Sequence, residues 1–276
     1  MPGPHFLIIT KGHPFEKGAF FEMLDELNGQ YTHVEQPLAA SILAPELMRP
    51  YDCLVFYDMP GITFEPGGPS YPEPSQAFKT QFLALLNEGK GMVFLHHAIA
   101  GWPSWPEYRN IIGGQFLYTP RRLDAIEVQD SGYRHKVRHE ISVVDPTHPI
   151  VDGLPSRFAM TDELYLYEVD EPSITPLLTS DYTFEPTHFY SAAAVVQRGL
   201  MHSNDGWTHP AGSNIVGWTK HYDNSRICYL QGGDDAEAWQ SEHFQQLLNN
   251  AIAWASAGVQ TAQTKDPLQP TASSSR

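Results

Sequence analysis

His96 and His97 stand side by side where the apolar run Gly91-Met92-Val93-Phe94-Leu95 ends. Packing alone would favour leucine or glycine there. Two imidazoles in such a position each need a partner, because an unpaired polar ring is costly away from water. Neutral imidazoles take up protons and bind metals, so the pair points to acid–base or metal-assisted chemistry. A second group lies in "DSGYRHKVRHE", where Tyr133, His135 and His139 share one face if the segment is an unbroken strand. That face suits a metal or a hydroxylated ligand, and a solvated hairpin has the same letters. A third is Asp162-Glu163, read as preceding the aromatic strand "LYLYEV", which offers a carboxylate as ligand or general base. Acidic residues before strands are also common in turns, so spacing leaves both readings open. His33, His148, His188, His221 and His243 read as structural.

These groups act together only if the chain carries them to one place. "HFLIIT", "YTHVEQP", "DCLVFYDMPG" and "GMVFLH" read as strands, separated by the helical patterns "EKGAFFEMLDELNG", "APELMRPY" and "QAFKTQFLALLNEG". This alternation predicts an α/β fold with a doubly wound, mainly parallel sheet. Ligands collect beyond the carboxyl ends of such strands. His13 follows the first strand, Asp58 ends the third, and His96 with His97 follows the fourth, so three strand ends aim polar groups at one edge. The Pro- and Gly-rich stretch 62–74 reads as a long loop of the kind that often serves as a lid. The second half is β-rich: "RLDAIEVQ", "HEISVVD", "ITPLLTSD", "SAAAVVQRG", "SNIVGWTKHY" and "SRICYLQG" read as strands before a closing amphipathic helix. One domain is expected over 1–257, with a polar, serine-rich tail at 258–276 expected to be disordered.

Composition removes several function classes. The chain has 276 residues, 41% of them hydrophobic, enough for a full core. Its 17 basic and 32 acidic residues give a formal charge of −15, which repels nucleic acid and anionic membranes. Cys53 and Cys228 lie in strand patterns, and the N-terminus has neither a basic leader region nor a long apolar run, so a cytoplasmic protein is expected. There is no glycine-rich phosphate loop, hence no expected nucleotide cofactor. The turn Leu95-His96-His97-Ala98 holds no Ser or Cys, which argues against an esterase or amidotransferase nucleophile elbow.

"GKGMVFLHHAIAGWPSWPEYRNIIGGQF", "DSGYRHKVRHEISV", "HPIVDGLPSRFAMTDELYLYEV", "GWTKHYDNSRICYLQGGD" and "LLNNAIAWAS" together resemble the trehalose-utilisation (ThuA-like) family over about residues 5–257. The resemblance implies a flavodoxin-like sheet of the class I glutamine amidotransferase type without its catalytic cysteine, and sugar-related or other polyhydroxylated substrates. It implies that His96 falls where related amidotransferases keep their nucleophile, and that His13 and Glu163 lie in segments typical of the family. Many members have Gly-His-Asp near the last strand; this chain has Gly232-Gly233-Asp234, so no role of that histidine carries over. The expected function is a hydrolase or lyase acting on an oxidised sugar, glycoside or related compound, the alternative a sugar-binding protein without turnover. His97, Glu163, Tyr133 and Asp58 are the expected catalytic residues. His13, His96 and His135 are the expected ligands of a divalent metal, Zn or Mn, with His97 and Glu163 eligible beside them. Trp102, Trp105, Tyr118 and Trp207 are the expected substrate-stacking residues, with Tyr108 a further aromatic candidate. The expected partners are a small-molecule substrate and further copies of the chain.

Overall fold

Four short apolar segments, His5–Lys11 (β1), Gln30–Glu35 (β2), Cys53–Asp58 (β3) and Gly91–Leu95 (β4), are strands in the computed structural model, which describes residues 3–65, 68–123 and 126–259. The expected tail falls outside the described residues from 260 onward. Later strands are Gly132–Val143 (β5), Arg157–Leu166 (β6), Thr175–Ser180 (β7), Tyr190–Ser191 (β8), Ile215–Tyr222 (β9) and Ser225–Leu230 (β10). All ten join one sheet in the order β6-β5-β7-β9-β10-β4-β3-β1-β2, with β8 pairing to β5. The five strands β2-β1-β3-β4-β10 run parallel, and β9, β7, β5, β6 and β8 are added antiparallel. The α/β class, parallel centre and β-rich additions are those the sequence predicts.

The central strands are apolar on both sides because helices cover both faces. Along β1, Phe6 and Ile8 enter one core layer and Leu7 and Ile9 the other; β3 divides in the same way, with Val55 and Tyr57 against Leu54 and Phe56. The first layer receives helices Lys17–Asp25 (α1), Ala236–Trp239 (α5) and Glu242–Ser256 (α6) through Phe20, Trp239, Phe244 and Leu248. The second receives Gln76–Asn87 (α2) and Pro106–Ile112 (α3) through Phe82, Leu86 and Ile111. Each such side chain, fully buried, contributes about 1.5–3 kcal/mol. Both α2 and α6 start on a capping serine: Ser75 Oγ accepts from Phe78 N, and Ser241 Oγ from Phe244 N.

"RLDAIEVQ" is not one strand, since Arg121–Leu123 and Ile126–Val128 pair antiparallel, and the stretch 62–74 holds a second such pair, Thr63–Glu65 with Gly68–Ser70. Two further expectations fail nearer the site. "SAAAVVQRG" is not a strand: Ala192–Arg198 forms a helix (α4), capped by Ser191 Oγ accepting from Ala194 N at 3.0 Å and closed by Gly199 at φ +67. The alanine run and its caps outweigh the two valines. The other failure lies in β5. Its pairing with β6 shifts between Arg134 and Val137, where one extra residue enters and Lys136 sits at φ +55. Before this bulge Tyr133 pairs with Tyr165; after it His139 pairs with Met160. The extra residue turns His139 to the opposite face, so the expected Tyr133–His135–His139 row is broken. Among the described residues no helix is long and apolar enough to cross a membrane.

Candidate active site

His96 occupies a sharp turn from β4 into a short 3₁₀ segment, with φ +47. A non-glycine residue held there costs on the order of 1–3 kcal/mol and persists only where its surroundings over-determine it. They do so here. His96 is fully buried, its carbonyl accepts from Tyr229 O–H at 3.0 Å, and its Nδ1–H donates to the Gln231 carbonyl at 2.7 Å. Because Nδ1 faces a carbonyl, Nε2 is left for the site. Three oxygens converge on it: Tyr165 Oη at 2.7 Å, Glu163 Oε2 at 3.1 Å and Asp234 Oδ1 at 3.3 Å. The ring also stacks on Tyr165. Burial opposes a charge on His96, but hydrogen bonds to Asp234 and Glu163 together outweigh it and hold its pKa well above the usual 6.5.

Glu163 lies inside β6, not ahead of a strand as expected; the strand begins at Arg157. Alternation from Glu163 puts Tyr165 on the same face, and β5 adds Tyr133 just before the bulge and His135 within it. His135 Nδ1 lies 2.9 Å from Glu163 Oε1, so each carboxylate oxygen is held by an imidazole. Burial pushes Glu163 up, yet the bonds from His135 and His96 bring it below the ordinary glutamate value. The same bond to Glu163 raises His135 against its partial burial. Asp234 is brought down to about 2: burial opposes its charge, and His96 overrides burial.

Asp162, beside Glu163 but on the other face, has a positioning function. It accepts from Gly233 N at 2.7 Å and Asp234 N at 3.1 Å, which fixes the turn after β10 and sets Asp234 over His96. Gly233 adopts φ +108 in that turn, a conformation open to glycine at little cost. Burial raises Asp162 to about 7.

His97 and His13 form the other side. His97 Nε2–H donates to the Tyr57 carbonyl at 3.3 Å, and its buried Nδ1 has no partner among the described residues. Burial, then the charges on His13 and His96, lowers its pKa well below 6.5. His13 follows β1 through Gly12, where a Cβ would lie 2.4 Å from the Met59 carbonyl oxygen, and its ring lies 4.8 Å from that of His97. Burial lowers its pKa as well.

These residues surround a cavity of about 130 Å³, lined by His13, His97, His135, Glu163, Tyr133 and Tyr165, with Phe116, Tyr118 and Val195 among the apolar walls. Other expectations miss it. Asp58 is not at the cavity: alternation along β3 puts it on the side of Leu54 and Phe56, where its Oδ2 accepts from Gln36 Nε2 at 2.7 Å and burial raises it to about 7. Trp102 and Trp105 pack on Phe78, and Trp105 also on Phe82, in the second core layer; Tyr108 is buried beside them. Trp207 donates to Asp130 Oδ1 at 3.0 Å, away from the cavity. His139 bonds Ser180 Oγ at 2.8 Å and burial lowers it to about 4. Of the expected aromatics only Tyr118 lines the cavity. Sequence reasoning missed Asp234 and Tyr165. The strand-end rule that singled out His96 also applies to Asp234 after "RICYLQGG", and Tyr165 is two residues from Glu163.

A family model described as "ThuA: Trehalose utilisation" matches residues 6–255. Among solved structures, a ThuA-like protein from Parabacteroides merdae is similar at 20% identity and TM-score 0.62, over 96% of this chain and 94% of that one. A ThuA-like protein from Bacteroides uniformis is similar at 18% identity and TM-score 0.59, over 92% and 93%. A cytoplasmic protein from Salmonella typhimurium shares the fold at 10% identity and TM-score 0.56, over 91% and 98%. No curated protein sequence matches the chain.

Proposed function

The chain belongs to the ThuA family, described as trehalose utilisation, and on that premise we propose that the cavity is the active site of a hydrolase or lyase acting on a hydroxylated, sugar-related small molecule. One observation carries the reading: His97 lines the cavity with a buried Nδ1 that lacks a partner among the described residues, while its other nitrogen is tied to Tyr57. An imidazole kept neutral with one lone pair free is a general base. His97 takes a proton from water, or from carbon beside a carbonyl of an oxidised sugar. The leaving oxygen receives its proton from His135, whose pKa Glu163 raises at the cavity's solvent edge. Tyr133 orients the substrate. The test is a panel of glycosides, oxidised sugars and hydroxylated aromatics followed by mass spectrometry. His97→Gln is expected to lower kcat by about 10²–10⁴-fold. Wild-type turnover in that variant sinks the assignment, and ligands that bind without conversion favour the binding-protein reading.

A second reading rests on spacing. His96, Glu163 and Asp234 each offer a ligand atom, all within 4.8 Å of one another. The 3.1 and 3.3 Å separations from His96 Nε2 approach the roughly 3.4 Å edge of a tetrahedral site with ~2.1 Å bonds. Its Nδ1–H on the Gln231 carbonyl is the outer bond that orients metal-bound imidazoles. Zn or Mn there would polarise a substrate oxygen. In this reading Asp234 joins His96 and Glu163, while His13 and His135 are left to bind substrate. Elemental analysis of untagged protein near one equivalent supports it; below about a tenth, with no thermal shift on adding metal, the acid–base reading stands alone.

A further inference from the structure

We infer that the apolar side of this cavity is built for an apolar group, so that the substrate is a glycoside, native or oxidised, whose aglycone is aromatic or alkyl and not a second sugar; the inference rests on the acid–base reading above. The polar lining comes in two pairs: His13 and His97, 4.8 Å apart ring to ring and each following a strand end, and His135 bonded to Glu163 within β5 and β6. The remaining wall is Ala100, Phe116, Tyr118, Ala192, Val195 and Met201, with Tyr133 and Tyr165 completing the lining. Phe116 lies 5.2 Å, ring to ring, from Tyr118 and 4.8 Å from Tyr165, giving an aromatic side wall. Phe64 stands edge-on to Tyr118 at 5.5 Å with 53% of its surface exposed, and Met201 is 54% exposed, so the apolar wall continues outward to solvent.

Two hydroxyls of that wall are already engaged: Tyr118 O–H donates to Met59 Sδ at 3.2 Å and Tyr165 Oη is on His96, while Tyr133 Oη accepts from His202 N at 3.1 Å and keeps one O–H to orient the sugar. A second sugar ring would bring several hydroxyls against carbon and aromatic faces, and each hydroxyl desolvated without a partner weakens binding. A planar or alkyl aglycone meets no such penalty and gains from burial against Phe116, Val195 and Met201. The polar rim can hold one sugar ring, with its reacting carbon beside His97.

Matched methyl and phenyl glycosides of the same sugars, native and oxidised, test this by calorimetric titration and by turnover. Phenyl members are expected to bind at least about tenfold tighter than their methyl partners. Val195→Asn and Met201→Gln are each expected to narrow that ratio about fivefold, through the phenyl member. Equal affinities within pairs, or tighter binding of disaccharides such as trehalose than of phenyl glycosides, overturn the inference while turnover abolished by His97→Gln leaves the acid–base reading intact. Failure of every pair to bind overturns both. The wild-type ratio decides the matter even if a variant does not fold.

Discussion

The two halves of the sheet deliver their side chains by different means. In the parallel half, each polar group follows a strand end: His13 after β1, His96 and His97 after β4, Asp234 after β10. Topology alone places them together, because parallel strands finish at one edge. In the antiparallel half, Glu163 and Tyr165 sit within β6, Tyr133 pairs opposite Tyr165 ahead of the bulge, and His135 lies in the bulge itself. The first half supplies imidazoles with opposite electrostatics, His96 raised and His97 lowered. The second supplies Glu163, which together with Asp234 of the first half holds His96 charged. Glu163 is therefore the tie between the halves, and the site exists only when both are docked.

The strongest way to break this comparison is to remove that tie. Glu163→Gln leaves the shape but takes the counter-charge from His135 and leaves His96 with Asp234 alone. Removing one partner of a buried ion pair is expected to cost about 3–5 kcal/mol, and catalysis should fall by about 10²–10⁴-fold. Denaturant unfolding together with turnover checks it. A variant as stable as wild type would mean that the two halves hold together without Glu163.

The same contrast explains what the sequence disclosed. Continuous apolar strands alternating with capped helices have few alternative readings, so β1 to β4 and the convergence of His13, His96 and His97 were legible. The β5 bulge was not, since nothing in "GYRHKVRHE" marks where one extra residue enters, and every side chain beyond it changes face. Asp58 failed for a related reason. A strand end places a backbone, while period-two alternation decides which face the side chain joins, and Asp58 follows Phe56 into the core. The tryptophans were misread because chemistry-bearing and core-filling aromatics have the same letters; their neighbours Phe78 and Phe82 decide between the two.

Adjacent His96 and His97 sharpen the comparison through pH. In metal-free protein, His96 has a folded pKa above its unfolded value of 6.5, so its stabilisation is complete below pH 6.5 and is lost as pH rises through the folded value. His97 has a folded pKa below 6.5, so folding is increasingly disfavoured as pH falls from 6.5 toward that value. Each contributes a slope of up to about 1.4 kcal/mol per pH unit. Stability measured from pH 5 to 8 should therefore flatten on the alkaline side in His96→Gln and on the acid side in His97→Gln. Asp234 and Glu163 act lower: their stabilisation is present above the unfolded carboxylate range and is lost as pH falls through their depressed folded values. Two variants with the wild-type pH profile would show that the neighbours are not held in opposite charge states.

The smallest effect is expected at Trp207. Its Nε1–H donates to Asp130 Oδ1, and Asp130 Oδ2 accepts from Ser191 O–H at 2.6 Å and Ala193 N at 2.8 Å at the start of α4. Trp207 thus steadies the helix whose Ala192 and Val195 line the cavity, without lining it. Trp207→Phe deletes one hydrogen bond to a buried carboxylate that keeps two others, so a loss of about 1 kcal/mol is expected, with ligand affinity within about twofold of wild type. Unfolding and titration on the same protein separate the two quantities. If affinity drops tenfold while stability holds, Trp207 contacts ligand directly, and the antiparallel half would then add a third aromatic to Tyr133 and Tyr165 at the cavity.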